Sequence, residues 1–186
     1  ENGAKVLEGQ VPTWKLFGPA QSGLGRGDKT YGLPRFEEAV FQARFPFATV
    51  DLKDKDMPLA AKITGWSPFI PTDADNSSLP VGVLEYQFTN TSGKAIETVF
   101  SYNTKNFIDG QGTIQGVKNG FVLESDQNNS GLAIYVDNDA AVVDIVGSVV
   151  PGSIRRLWFG IIFAMGGSLI SNRLKVLLRE RLFMFR

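Results

Sequence analysis

VGVLEYQFT, residues 81–89, is the stretch on which the fold turns. Val83, Glu85 and Gln87 fall on one side of an extended chain, and Leu84, Tyr86 and Phe88 fall on the other. A period of two, with one side fully apolar, is the pattern of a half-buried strand. Asn90-Thr91-Ser92-Gly93 follows as a turn, and Ala95–Asn103 is expected to return as the second strand of a hairpin.

The same text extends in both directions. Upstream, Ala39, Phe41, Ala43 and Phe45 alternate with Val40, Gln42 and Arg44. A run at Phe47–Leu52, a charged turn at Lys53-Asp54-Lys55-Asp56 and an apolar run at Leu59–Trp66 come next. Ser67–Pro80 holds three prolines among Asp73, Asp75, Asn76, Ser77 and Ser78, which predicts a long ordered loop. Downstream, short runs at Phe121–Glu124, Leu132–Val136 and Ala141–Val146 are separated by Asn, Asp and Gly. Short strands with turn chemistry between them predict a mainly β fold, an antiparallel β-sandwich over residues 1–150. The first thirty residues are broken by Val11-Pro12, Gly18-Pro19 and Gly23, Gly25 and Gly27, and read as loop or edge strand.

Residues 151–186 differ. The whole chain of 186 residues carries no formal net charge, but its two parts have opposite signs. Residues 1–150 hold 12 basic against 18 acidic residues, and residues 151–186 hold 7 against 1. Leu157–Asn172 carries no charge, and Ile170, Leu174, Leu177, Leu178, Leu182 and Phe185 then lie on one helical stripe. A basic, apolar, helical C-terminal tail is therefore expected. Its uncharged run is shorter than the roughly 20 residues of a membrane span, so membrane association would be confined to a surface helix. A helix buried on a partner is the plainer alternative.

Composition removes several chemistries. There is no cysteine and no histidine, which excludes thiolate catalysis, Ser-His-Asp catalysis and the commonest zinc ligand. The balanced charge offers nothing to nucleic acid. Gly23–Gly27 lacks the strand, helix and Lys-Ser/Thr of a phosphate loop. No cofactor and no metal are expected; Asp73, Asp75 and Asn76 alone are a weak calcium set. Asn76-Ser-Ser and Asn90-Thr-Ser match the glycosylation pattern, which matters only in a glycosylating host. The compartment stays open between bacterial cytoplasm and periplasm.

Three stretches are more specific: YGLPRFEEAVFQARFPFATVDL (Tyr31–Leu52), GWSPFIPTDADNSSLPVGVLEYQFTNTSG (Gly65–Gly93) and ETVFSYNTKNFI (Glu97–Ile108). Together they resemble the N-terminal domain of glycoside hydrolase family 116, which includes non-lysosomal glucosylceramidases and bacterial β-glucosidases. The resemblance covers residues 5–148, with the W-S-P-F-I-P loop its most specific part. The glycine-rich segment that usually precedes the Tyr31 region is only partly present. The resemblance implies a β-sandwich that braces an (α/α)₆ toroid. The glutamate nucleophile and aspartate acid/base of the family sit in that toroid, so no catalytic residue carries over to a position here. The 36 residues after 150 are too few for a toroid, and their basic, aliphatic character departs from the family's Trp-rich continuation. A truncation or reading-frame slip upstream of residue 155 is one expectation this raises.

Candidate sites follow from the remaining residues. Glu37 and Glu38 are adjacent, so on a strand they point to opposite faces and cannot form a glycosidase pair. Asp73 and Asp75 sit in a loop where Asp commonly makes turns, which outweighs catalysis. Trp66 and Phe69, beside two prolines, are the candidate sugar platform, with Asp73, Asp75 and Asn76 as polar neighbours for a β-linked glucoside. The plainer reading of both rings is that they plug the sandwich end or the face met by the toroid. Three functions are thus expected in order: a non-catalytic domain of a β-glucosidase or glucosylceramidase, an independent carbohydrate-binding module, and a membrane-surface or oligomerising protein acting through its tail.

Overall fold

The computed structural model describes residues 3–13, 32–105, 112–125, 130–137, 142–149, 157–165 and 172–182; within these, side chains are described for 3–13, 32–102, 113–125 and 131–137. Gly23–Gly27, Ile170 and Phe185 lie outside the described residues. In chain order the strands are β1 (Glu38–Arg44), β2 (Phe47–Lys53), β3 (Leu59–Trp66), β4 (Val81–Asn90), β5 (Thr98–Lys105), β6 (Gly112–Val117), β7 (Gly120–Ser125), β8 (Ser130–Val136), β9 (Val142–Val149), β10 (Leu157–Met165) and β11 (Asn172–Leu182). A four-residue helix, α1 (Ala74–Ser77), interrupts the loop between β3 and β4.

The strands make two antiparallel sheets. The large one has the order β1-β2-β3-β4-β11-β8-β7-β6, and the small one β5-β10-β9. β1, β2, β3 and β4 are a meander, as their alternation predicts, with short turns between the first three and the long Ser67–Pro80 loop before the fourth. Phe45-Pro46, a cis peptide, makes the first turn.

β5 does not follow this pattern. It is expected beside β4, yet β4 pairs with β3 and β11, while β5 pairs with β10 in the other sheet. The connecting segment is pinned by its own side chains: Asn90 Oδ1 accepts from the Ser92 amide at 2.9 Å, and Gly93 adopts φ +69°. It carries the chain across the core, so Phe100 of β5 meets β4 face to face. Its ring lies 4.7 Å from Tyr86 and 5.4 Å from Phe88. Alternation marks which side of a strand is buried but not which neighbour supplies its hydrogen bonds.

The tail corrects a second expectation. Among the described residues beyond 150 there are strands and no helix: β10 lies between β5 and β9, and β11 between β4 and β8. The physical reason is legible in retrospect. Leu157–Met165 is a run of Leu, Trp, Phe and Ile with a central Gly, a composition that favours a buried strand over a helix. In β11, Arg173, Lys175, Arg179 and Arg181 alternate with Leu174, Val176, Leu178 and Leu182, so a period of two coexists with the helical stripe. Adjacent strand edges on both sides decide between them. In register, Leu174 stands opposite Tyr86, and Leu178 opposite Ile134.

The core is continuous across the large sheet: Leu52, Ala61, Tyr86, Phe88, Phe121, Leu123, Leu132 and Ile134, closed by Phe36 and Phe100. Burial of each large side chain contributes roughly 1.5–3 kcal/mol before ordering costs. Gly120 shows how tightly β7 and β8 meet, since a Cβ there would lie 2.3 Å from the Ile134 carbonyl oxygen. The turn before it uses Asn119 at φ 59°, a residue that tolerates the left-handed region. The N-terminal segment packs beside β1 through a parallel bridge, Val6 to Arg35. Arg35 is buried there, with its guanidinium donating to Glu8 and to the Gly9 carbonyl.

Candidate functional site

The residues singled out from sequence converge on one end of the large sheet. β3 ends at Trp66, which stands opposite Phe47 of β2 and Val83 of β4. Register therefore places Trp66 and Phe47 side by side, and their rings are 6.2 Å apart and tilted. The loop then returns Phe69 against Phe45 of the first turn, edge to face at 4.7 Å. Phe45 is 77% exposed and Phe69 47% exposed, whereas Trp66 is half-buried. Ile70 and Leu79 of the same loop are also exposed.

The polar candidates are organised around α1. Asp73 is its N-cap: Oδ1 accepts from the Asn76 amide at 3.0 Å, and Oδ2 from Asn76 Nδ2 at 2.6 Å. The two Asn76 contacts hold the Asp73 carboxyl below the usual carboxylate range. Ser77 closes the loop, its hydroxyl accepting from the Ile70 amide at 2.9 Å and donating to the Ile70 carbonyl at 3.0 Å. Thr72, between these anchors, sits at φ 68°, an unusual position for a β-branched residue. Asp75 occupies the first turn of α1, and its carbonyl accepts from Ser78 Oγ at 3.1 Å.

The arrangement these contacts make is a braced loop. Glu37 contacts Lys55 at 3.1 Å, and Glu38 stands opposite Lys53. Among the described residues no group of three or more acidic side chains could hold a metal, and no helix is long and apolar enough to cross a membrane.

Sequence reasoning missed Phe45 and Phe47, which complete the aromatic surface. The signal was present: Phe-Pro-Phe at a hairpin turn puts large apolar residues where polar turn-formers are usual. A separate concavity of about 1540 Å³ opens between the N-terminal segment, β4 and the start of β5, lined by Leu7, Met57, Ile63, Tyr86, Val99 and Tyr102 among others. It shares no lining residue with the Trp66–Pro80 loop.

This sandwich, with its Trp66–Pro80 loop anchored on α1, contains the stretches that carried the resemblance. Residues 1–151 match the family described as beta-glucosidase 2, glycosyl-hydrolase family 116 N-term. The chain belongs to this family. As a family 116 N-terminal domain it also shares its fold with parts of much larger solved structures. A heparinase III gene product aligns with a TM-score of 0.51 and 10% identity, over 77% of this chain and 22% of that one. The heparan sulfate lyase HepC from Pedobacter heparinus, and a mutant of it, each align with a TM-score of 0.50 and 10% identity, over 80% of this chain and 22% of theirs. At that identity the likeness is one of fold alone. No curated protein matches the sequence. The family 116 match ends at residue 151, before β10 and β11.

Proposed function

We propose that this family 116 N-terminal domain is non-catalytic and braces an (α/α)₆ catalytic domain of the β-glucosidase or glucosylceramidase type. The Ser67–Pro80 loop borders the sugar cleft in this reading. The observation that carries it is the aromatic surface of Phe45, Phe47, Trp66 and Phe69, held on the braced loop of the family stretch. Rings exposed this far, packed edge-on or tilted against one another and backed by a braced loop, suit a partner surface better than free solvent. The half-buried Trp66, tilted against Phe47, offers less open ring face than a sugar-binding platform needs, which favours this role over a free-standing carbohydrate-binding module.

Two measurements test it. The chain should not hydrolyse aryl β-glucosides, and it should bind a separately produced family 116 toroid. Phe45→Ser with Phe69→Ser should abolish that binding while leaving the fold intact. Hydrolysis lost on Asp73→Asn would overturn the non-catalytic reading. Binding to β-glucans lost on Trp66→Ala, without binding to the toroid, would establish the module instead.

A further inference from the structure

Among the described residues, β1, EAVFQAR, is the outermost strand of the large sheet and pairs with β2 alone, the N-terminal segment meeting this edge just before it, where the Glu8 carbonyl accepts from the Phe36 amide. All seven of its residues are exposed, including Val40 at 53% and Phe41 at 66%. An open edge of this kind offers a row of unpaired N–H and C=O groups to another strand. Natural edges are usually blunted by a central lysine, a proline or a bulge, and β1 has none of these between Glu38 and Arg44.

The order of its residues is self-complementary. When two copies run antiparallel with a twofold axis at Phe41, Glu38 faces Arg44, Ala39 faces Ala43, Val40 faces Gln42, and Phe41 faces its own copy. The twofold repeats the Glu–Arg pair at both ends. Among the described residues neither Glu38 nor Arg44 has an ion-pair partner within the chain. Moving the axis to Val40 or Gln42 loses both charge pairs, and a parallel alignment sets Glu38 against Glu38. The opposite edge of the sheet, β6, reads GTIQGV and has no such symmetry. Pairing β1 of one copy with β6 of the next would be head-to-tail and would propagate instead of closing.

We propose that β1 is a self-association edge, and that two copies of this chain join antiparallel through β1, centred on Phe41, to continue the large sheet across a twofold axis. The occupant is a second copy because charge complementarity, apolar exposure and the free edge agree on one register. Seven residues a side make a small interface, so the dimer is reversible and concentration-dependent. The inference stands apart from the proposed docking surface, which uses Phe45, Phe47, Trp66 and Phe69.

Sedimentation velocity of the 186-residue chain, from micromolar to millimolar concentration, should show monomer passing to dimer and stopping there. Phe41→Lys should weaken association about tenfold or more by setting like charges together on the axis, with an unchanged circular dichroism spectrum. Glu38→Arg and Arg44→Glu should each weaken it by about tenfold, and the double variant should recover association to within about threefold. Phe69→Ser should leave it unchanged. A chain monomeric at every concentration overturns the proposal. So does a dimer insensitive to Phe41→Lys, a double exchange that fails to recover, or growth beyond the dimer.

Discussion

Two aromatic clusters in this chain use the same chemistry at nearly the same spacing, with opposite surroundings. Inside, Tyr86, Phe88 and Phe100 are all buried, and the closest ring pair is 4.7 Å apart. Outside, Phe45 and Phe69 also meet at 4.7 Å, but both remain open to solvent. The inner cluster joins strands of different sheets, since Phe100 comes from β5 and the other two from β4. The outer one joins two turns of the same sheet end, where no second layer of described residues covers it. Ring contact alone therefore does not make a core. What decides is whether a second surface removes the faces from water, because stabilisation follows area buried rather than contacts made.

The contrast can be broken from the inside first. Phe88→Ala should cost about 3–5 kcal/mol, because it opens a cavity where the two sheets meet and cannot collapse onto a neighbouring layer. Urea unfolding would measure it, and a cost below about 1 kcal/mol would show that the sheets do not depend on this contact. Gly120→Ala comes next, at about 1–3 kcal/mol, since the added methyl meets backbone of β8 rather than a movable side chain. A third test sharpens the inner environment. Burial, with Tyr102 nearby, pushes the Tyr86 phenol above its ordinary value of 10. Its proton stays on in the folded chain when the unfolded chain has already lost it, so stability should fall as pH rises past about 10. Tyr86→Phe should flatten that alkaline decline in a series of unfolding curves. The smallest effect belongs outside. Phe45→Ser and Phe69→Ser together should move stability by no more than about 0.5 kcal/mol, as is usual for exposed positions. A large loss there would mean the outer rings are core after all.

The inner cluster was half legible in the sequence. Tyr86 and Phe88 announce themselves by alternation in VGVLEYQFT, but their partner Phe100 was expected in a strand alongside them. The return strand Ala95–Asn103 was correctly placed along the chain and wrongly placed in space. β6 went unread because GTIQGV has two glycines and little apolar alternation; its position rests on the Lys118-Asn119 turn and the pairing with β7. At the candidate site, Asp73 was legible only as a turn-making residue of a long loop; the short helix that it caps was not. The neighbouring Phe45 and Phe47 were not, because only the register of β2 on β3 brings Phe47 to Trp66. Arg35 was likewise silent in sequence, and its burial depends on the N-terminal segment bringing Glu8 beside it.

That this chain is mainly β, where most strands up to β4 begin and end, and which family residues 1–151 belong to are all legible in its residues. Those properties are local or compositional: alternation, turn residues and a distinctive loop survive reading one window at a time. Tertiary structure alone decided which strands are neighbours. It sent β5 to the second sheet, and it made strands of Leu157–Met165 and Asn172–Leu182, where a helical stripe competed with an alternating one. The physical reason is that a strand satisfies its backbone hydrogen bonds only on other strands, which are distant along the chain, whereas a helix satisfies them within itself. The edge left free by that choice, β1, is the one whose own seven residues spell out a partner.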